Sequence, residues 1–199
     1  MREIDLHPHV PEEMAHLFTA KNAGTVEDEY GELLYSLIRA AKPETVLETG
    51  SYHGETSVVI CSALRKNGFG KLITIELVHE YANEARVNLA NAGHTEYELV
   101  EAFSCDYLNS ANVLFDFAFY DSLLELRAKE FEICLQRGLF RKGAFAVFHD
   151  TSKLRTIQPN QPDPVTSLFC VRLQMVIAEF GISEIVEFPL SKGMILLHI

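Results

Sequence analysis

The sequence predicts a doubly wound α/β sheet, mostly parallel, with helices on both faces and an antiparallel hairpin at its end. Two observations carry that reading. Five short runs rich in Val, Ile and Phe, at 45–49, 71–76, 97–102, 115–120 and 143–149, are separated by helical segments, and strands that are apolar at nearly every position belong in a parallel sheet covered on both faces. The last two runs, SEIVEFPL and GMILLHI, are joined only by a few residues around Ser191-Lys192-Gly193, too short a connection for anything but an antiparallel pair. No repeat, low-complexity tract or linker divides the 199 residues, so a single domain (1–199) is expected, with 1–42 as a helical cap and 43–199 as the α/β core.

Taken in order, residues 11–19 read as a short helix opening on Pro11, Glu12 and Glu13. Residues 26–41 read as a longer one, with Tyr30, Leu33, Leu34, Leu37, Ile38 and Ala41 at helical spacing, Thr25 as cap with Asp28 three residues on, and Pro43 as stop. After the strands, residues 163–180 form a well-marked helix: Asp163 caps it, Pro164 lies in its first turn and Gly181 is its exit. Between them, TSKLRTIQPNQPDP (151–164) carries three prolines, which argue against regular structure and for a flap over a binding site. Lys153 and Arg155 in that flap are read first as solvated charges, and second as partners for an acidic substrate group. His7 and His9, in HPH, are given no role.

Composition narrows the function. The chain is 48% apolar and 23% charged, as a soluble globular protein is, and no run reaches the roughly 18 apolar residues of a membrane span. The N-terminus has no apolar signal core, so a cytoplasmic protein is expected. Cys61, Cys105, Cys134 and Cys170 show no CxxC spacing and read as buried apolar residues. A net charge of −11 disfavours nucleic acid and anionic membranes. The expected partner is a small molecule, and a homodimer is left open.

In a sheet of this kind ligands bind beyond the carboxyl ends of the strands, where strand order reverses. The first strand runs into TVLETGSYHG. Gly50 permits a tight turn, Gly54 lets the next helix start close to a ligand, and N–H groups at that helix start can receive a carboxylate or phosphate. Glu76 ends the second strand, 26 residues after Gly50, placed to accept both hydroxyls of a ribose. A simple turn and a solvated acid would explain each feature singly; together they point to a nucleoside ligand.

The loop GSYHG departs from the dinucleotide fingerprint GxGxxG and resembles motif I, (E/D)xGxxxG, of the class I S-adenosylmethionine-dependent methyltransferases, a Rossmann-like family. GELLYSLIRAAKPETVLETGSYHGETS is similar to the first helix and strand of the small-molecule O-methyltransferases, LITIEL to their ribose-binding strand, FDFAFYDS to the fourth strand and GLFRKGAFAVFHDTS to the fifth. The resemblance implies that Glu48, Gly50, Ser51 and Gly54 cradle the methionine end of S-adenosylmethionine and that Glu76 holds the ribose. Ser104 and Cys105 match adenine-facing positions, with Asp106 as competitor. Asp121 and Asp150, at the ends of neighbouring strands, would lie beside the transferable methyl group. With Thr151 they could hold Mg2+ or Mn2+, which would lower the pKa of an acceptor hydroxyl; His149 could instead take the proton, but it shares a site with Asp150 only if the strand has already ended. Two positions depart from the catechol-type enzymes: Thr151 stands where they have an asparagine ligand and Leu124 where they have a catalytic lysine. Leu124 also breaks the DxxH pattern of a related group whose fifth strand ends in an HDT-like sequence. Three outcomes stay open: His149 is the base, the site is built differently, or catalysis is lost. The expected function is methyl transfer to a hydroxyl of a small molecule. A non-catalytic S-adenosylmethionine-binding protein is the alternative, and a nicotinamide dehydrogenase a third.

Overall fold

The structure, a computed structural model, describes residues 17–19, 25–153, 155–158 and 161–199. The chain alternates through α1 (Asp28–Ala41), β1 (Thr45–Thr49), α2 (Glu55–Asn67), β2 (Lys71–Glu76), α3 (His79–Asn91), β3 (Tyr97–Glu101), α4 (Ser104–Ser110), β4 (Phe115–Tyr120), α5 (Leu124–Gln136) and β5 (Phe140–His149). A short ribbon of β6 (Thr156–Gln158) and β7 (Gln161–Pro162) follows, then α6 (Pro164–Glu179), β8 (Glu184–Phe188) and β9 (Met194–His198).

Seven strands form one sheet in the order β3-β2-β1-β4-β5-β9-β8. The first five are mutually parallel, and β9 runs antiparallel to both β5 and β8. The doubly wound sheet and its antiparallel terminal hairpin are as the sequence predicts. Alternating strand residues fill two cores, because successive Cβ atoms point to opposite faces. Val46, Phe117, Phe119 and Val147 join Leu34, Ile38, Ile60 and Leu64 of α1 and α2, while Leu47, Ala118, Tyr120 and Phe148 join Phe131, Phe169 and Leu173 of α5 and α6. The chain leaves β1 toward one face and β4 toward the other. The crevice between these adjacent strand ends is the switch point where α/β sheets bind ligands.

Several local expectations are corrected. The cap of α1 is Glu27, with no side-chain capping bond; the Thr25 carbonyl instead accepts a hydrogen bond from Lys192 Nζ. β5 starts at Phe140, three residues before the expected start, and the pairing with β4 shifts register after Phe115. The segment after β5 is not irregular throughout: it pairs Thr156 with Pro162 and Gln158 with Gln161. Asp163 does cap α6, accepting from Val165 N at 3.1 Å and Thr166 N at 3.2 Å, and Gly181 follows the helix at φ +67°. Residues 11–16 of the expected first helix, with His7 and His9, lie outside the described residues.

Candidate active site

The carboxyl ends of β1, β2 and β4 enclose a cavity of about 290 Å3. Gly50, Glu76, Ser104 and Asp121 line it together with Tyr52, Tyr81, Phe103, Leu123 and Leu126. Its rim is apolar and exposed: Leu77 is 62% and Leu123 69% accessible, surface that a ligand lying across the mouth would cover. Glu76 is buried and accepts from Tyr52 N and Val78 N, each at 2.9 Å, one N–H per oxygen. A carboxylate offers about four acceptor positions, so two remain for a diol. Tyr52 and Tyr81 form an edge-on pair at 4.7 Å beside it.

Gly50 makes the expected turn and lines the cavity, while Gly54 packs against a helix. At Gly50 (φ +82°) a Cβ would lie 2.7 Å from the Asp121 carbonyl oxygen and 2.8 Å from Ser122 N. Glycine there brings the β1 and β4 loops together, so that Asp121 reaches the cavity. At Gly54 (φ +81°) a Cβ would meet Ala85 at 2.8 Å; the close approach is by α3, not by a ligand, and Gly54 is not among the lining residues. Glu48 lies beneath the loop, fully buried, accepting from Thr74 Oγ1 at 2.6 Å and from Ser57 Oγ. Its Oε1 and the nearby Ser51 Oγ are buried without a protein partner. Burial pushes the Glu48 carboxyl up to about 7 against its two hydroxyl donors. Of the three adenine candidates, Ser104 reaches the cavity, but its hydroxyl donates to Glu130 of α5. Cys105 packs into the core under α5, and Asp106 is exposed on α4. Glu130 also accepts from Thr49 Oγ1 and Ser122 Oγ, both at 2.8 Å, and so ties three loops under the cavity floor.

Asp121, His149 and Asp150 do meet. β5 ends at His149, and Asp150 takes a left-handed conformation (φ +59°) that turns its carboxylate back toward the same point; the stated condition for a shared site is satisfied. His149 lies 3.2 Å from Asp121 Oδ1 and 3.6 Å from Asp150 Oδ2 through Nδ1, and 2.7 Å from Glu27 Oε2 through Nε2. Burial opposes a charge on this ring, but Asp150, Asp121 and Glu27 outweigh it and raise the pKa to about 9. Glu27, although buried, falls to about 2 through its bonds to His149, Ser191 and Lys192 N. The surrounding acids thus favour the charged ring, in which Nδ1 and Nε2 would both donate to carboxylates. A charged ring with both nitrogens engaged argues against the general-base role expected for it.

The expected metal set has a competing occupant. The ligand atoms of Asp121, His149 and Asp150 lie within 4.8 Å of one another, a spacing an ion could span. Arg127 of α5, however, already bridges the pair: its Nη2 is 3.0 Å from both Asp121 Oδ1 and Asp150 Oδ2. Its Nε donates to Ser122 O and its Nη1 to His149 O, each at 2.7 Å. Arg155 Nη1 lies 2.5 Å from Asp150 Oδ1, so Arg155 is a buried partner of the site and not a solvated flap charge. Three acids thus face three cations. An ion there would share the two carboxylates with the Arg127 and Arg155 guanidiniums, whose like charge opposes it in a partly buried site. The residues do not fit a divalent metal. Thr151 lies elsewhere, lining a cavity with Cys170, Leu173 and Ile195. Leu124 packs against the core.

Sequence reasoning missed Arg127, Glu130 and Glu27. The first two carried a signal: in LELRAKEFEIC they fall at helical spacing with Phe131 and Cys134, so charges interrupt the buried face. Glu27 had none, since an acid before a helix is ordinary.

Residues 47–151 match the family described as "Methyltransferase domain". The chain belongs to that family. Catechol O-methyltransferase B of Danio rerio is a relative, 34% identical over 127 residues, covering 61% of this chain and 47% of the relative; the chain spans about half the length of the curated relative it matches. Among solved structures, the O-methyltransferase TomG of Streptomyces achromogenes, in complex with SAM, is 25% identical with a TM-score of 0.71, covering 88% of this chain and 81% of that one. An O-methyltransferase of Bacillus cereus in complex with SAH shares the fold (TM-score 0.74, 22% identity, 89% and 84% covered). The methyltransferase family thus accounts for the sheet order and for a cavity at its switch point. Among the described residues, no helix is long and apolar enough to cross a membrane.

Proposed function

We propose that this protein is an S-adenosylmethionine-dependent methyltransferase acting on a small-molecule hydroxyl. The carrying observation is the switch-point cavity, where a buried acid keeps acceptor positions free, the walls are apolar and the rim is exposed. S-adenosylmethionine suits these residues: Glu76 would take the ribose hydroxyls, and Leu77, Val78, Phe103 and Leu126 would sandwich the adenine. The orphaned Glu48 Oε1 and Ser51 Oγ would accept or donate, through water, to the methionine end. The cofactor supplies an electrophilic methyl group on a sulfonium; the chain's own residues orient the partners and exclude water. Asp121 is the acid that both lines the cavity and touches the charge cluster, so it is assigned to the reacting end.

The acceptor reading rests on continuity. A small gap lined by Gly50, Tyr52, Asp121, Glu55 and Thr56 adjoins the cavity, and Glu55 and Thr56 also line a groove of about 600 Å3 between α1 and α2, with Asp28, Glu32, Tyr35 and Ser36. That acidic groove suits a neutral, hydroxylated acceptor better than an anion. Residues 43–199 are taken as the catalytic core, with α1 forming one wall of the acceptor groove. We place the protein in the cytoplasm, with no nucleic-acid or membrane partner, and keep a homodimer open. Thermal unfolding with S-adenosylhomocysteine tests the reading. At a hundredfold excess over Kd, binding adds about 2.7 kcal/mol, on the order of 5–10 °C for a domain of this size. No shift at saturating ligand overturns it.

A further inference from the structure

The geometry points to Arg127 as a built-in replacement for a catalytic cation: we propose that its guanidinium fills the space between Asp121 and Asp150, so that this site works without a divalent metal. Four features support this. Arg127 Nη2 is equidistant, at 3.0 Å, from one oxygen of each carboxylate. The arginine is 4% exposed and anchored at its other nitrogens by the Ser122 and His149 carbonyls, so it is fixed in place and not a mobile side chain that an ion would displace. Its guanidinium lies 6.0 Å from the centre of the Phe169 ring, and a planar cation suits that apolar face as a hydrated ion would not. The remaining oxygen of Asp150 lies 2.5 Å from Arg155 Nη1, a second guanidinium whose charge competes with an ion there. Arg127 is a positioning residue: it touches Asp121, which faces the cavity, and not the cavity itself. Where a metal would grip the acceptor oxygen directly, this bridge fixes the direction of the Asp121 carboxylate.

The inference concerns the carboxylate pair and does not depend on which acceptor is methylated. Its test is metal binding. Purified protein is titrated with Mn2+ and the free ion followed by electron paramagnetic resonance, for wild type, Arg127→Met, and Arg127→Met combined with Asp121→Asn. Wild type is expected to leave the free Mn2+ signal unchanged, Arg127→Met to take up one equivalent, and the double variant to lose it. Wild-type binding of one equivalent that Asp121→Asn abolishes overturns the proposal. So does a folded Arg127→Met that gains no site. Should Arg127→Met fail to fold, the wild-type titration and its Asp121→Asn control decide alone. A protein that ignores S-adenosylhomocysteine while showing this Mn2+ pattern would sink the methyltransferase reading and leave the inference standing.

Discussion

The two halves of the site differ in how they treat buried polar groups. At the β1–β2 end, Glu48 Oε1 and Ser51 Oγ are buried without partners and the apolar rim faces water. At the β4–β5 end, Asp121, Asp150 and Glu27 are each matched by a cation, and Arg127 has acceptors at Nε, Nη1 and Nη2. A buried polar atom left unpaired costs about 1–3 kcal/mol, so the first half is incomplete without a ligand. The second pairs its three acids with cations of its own chain, although Arg155 keeps Nε and Nη1 buried without an aligned hydrogen-bond acceptor. The half with orphaned oxygens and an apolar rim marks where something binds, and the charge-paired half is the frame that holds the reacting edge still.

The largest effect belongs to the frame. Arg127→Met leaves two half-buried carboxylates without their bridge, though Asp121 keeps His149 and Asp150 keeps Arg155. Breaking a fully buried pair from one side costs about 3–5 kcal/mol, so about 3 kcal/mol is expected. At roughly 2–4 °C per kcal/mol for a domain of this size, thermal unfolding without ligand should drop by at least about 6 °C. A change of a degree or two would mean that the cluster is not a frame. The imidazolium gives the next effect. The His149 pKa is raised from 6.5 to about 9, so its stabilisation is fully present below pH 6.5 and is lost as pH rises through 9. That loss is worth about 3 kcal/mol at 1.36 kcal/mol per unit. Glu27, lowered from 4.5 to about 2, acts at the other end: its contribution holds above pH 4.5 and disappears as pH falls through 2. Comparing unfolding of wild type and His149→Gln from pH 5 to 9.5 reads the first window directly; parallel curves would remove the charge from this histidine.

How much of this was legible beforehand follows the same division. The strands and the switch point were readable because apolar runs and turn residues state local physics, and Glu76 was readable because an acid at a strand tip has few uses. The meeting of Asp121, His149 and Asp150 was readable up to one backbone angle, the positive φ of Asp150. What fills the space between them was not. Arg127 is separated from Asp150 by 23 residues, and only packing of α5 against β5 brings them together. The resemblance to metal-dependent enzymes pointed to an empty acidic pair; the guanidinium is a tertiary fact. Gly54 shows the same limit. A positive φ is foreseeable from sequence, but whether the neighbour at Gly54 is a ligand or Ala85 is not.

The open half yields a more moderate prediction at Gly50. An added Cβ would meet Asp121 O at 2.7 Å in a left-handed conformation that only glycine adopts freely. Gly50→Ala is expected to cost about 1–3 kcal/mol in stability through strain and, by pushing Asp121 off the rim, to weaken S-adenosylhomocysteine at least about tenfold, or 1.4 kcal/mol. Calorimetric titration checks it. Unchanged affinity would separate the loop from the cavity.

The smallest effect has the opposite sign. Glu48 sits where a charge is unwelcome: burial raises its pKa from 4.5 to about 7 despite the Ser57 and Thr74 donors. A carboxyl with a raised folded pKa is stabilising below its unfolded value and loses that contribution as pH rises toward 7, so above neutrality its ionised form strains the fold. Glu48→Gln keeps an acceptor for both hydroxyls and removes the charge. The new amide has no acceptor at the orphaned position, which offsets part of the gain. At pH 8 the variant should unfold about 1 kcal/mol later than wild type in the absence of ligand, while binding S-adenosylhomocysteine more weakly. A variant that is both less stable and unchanged in affinity would make Glu48 a structural acid, and its unpaired oxygen would no longer mark the ligand side of the molecule.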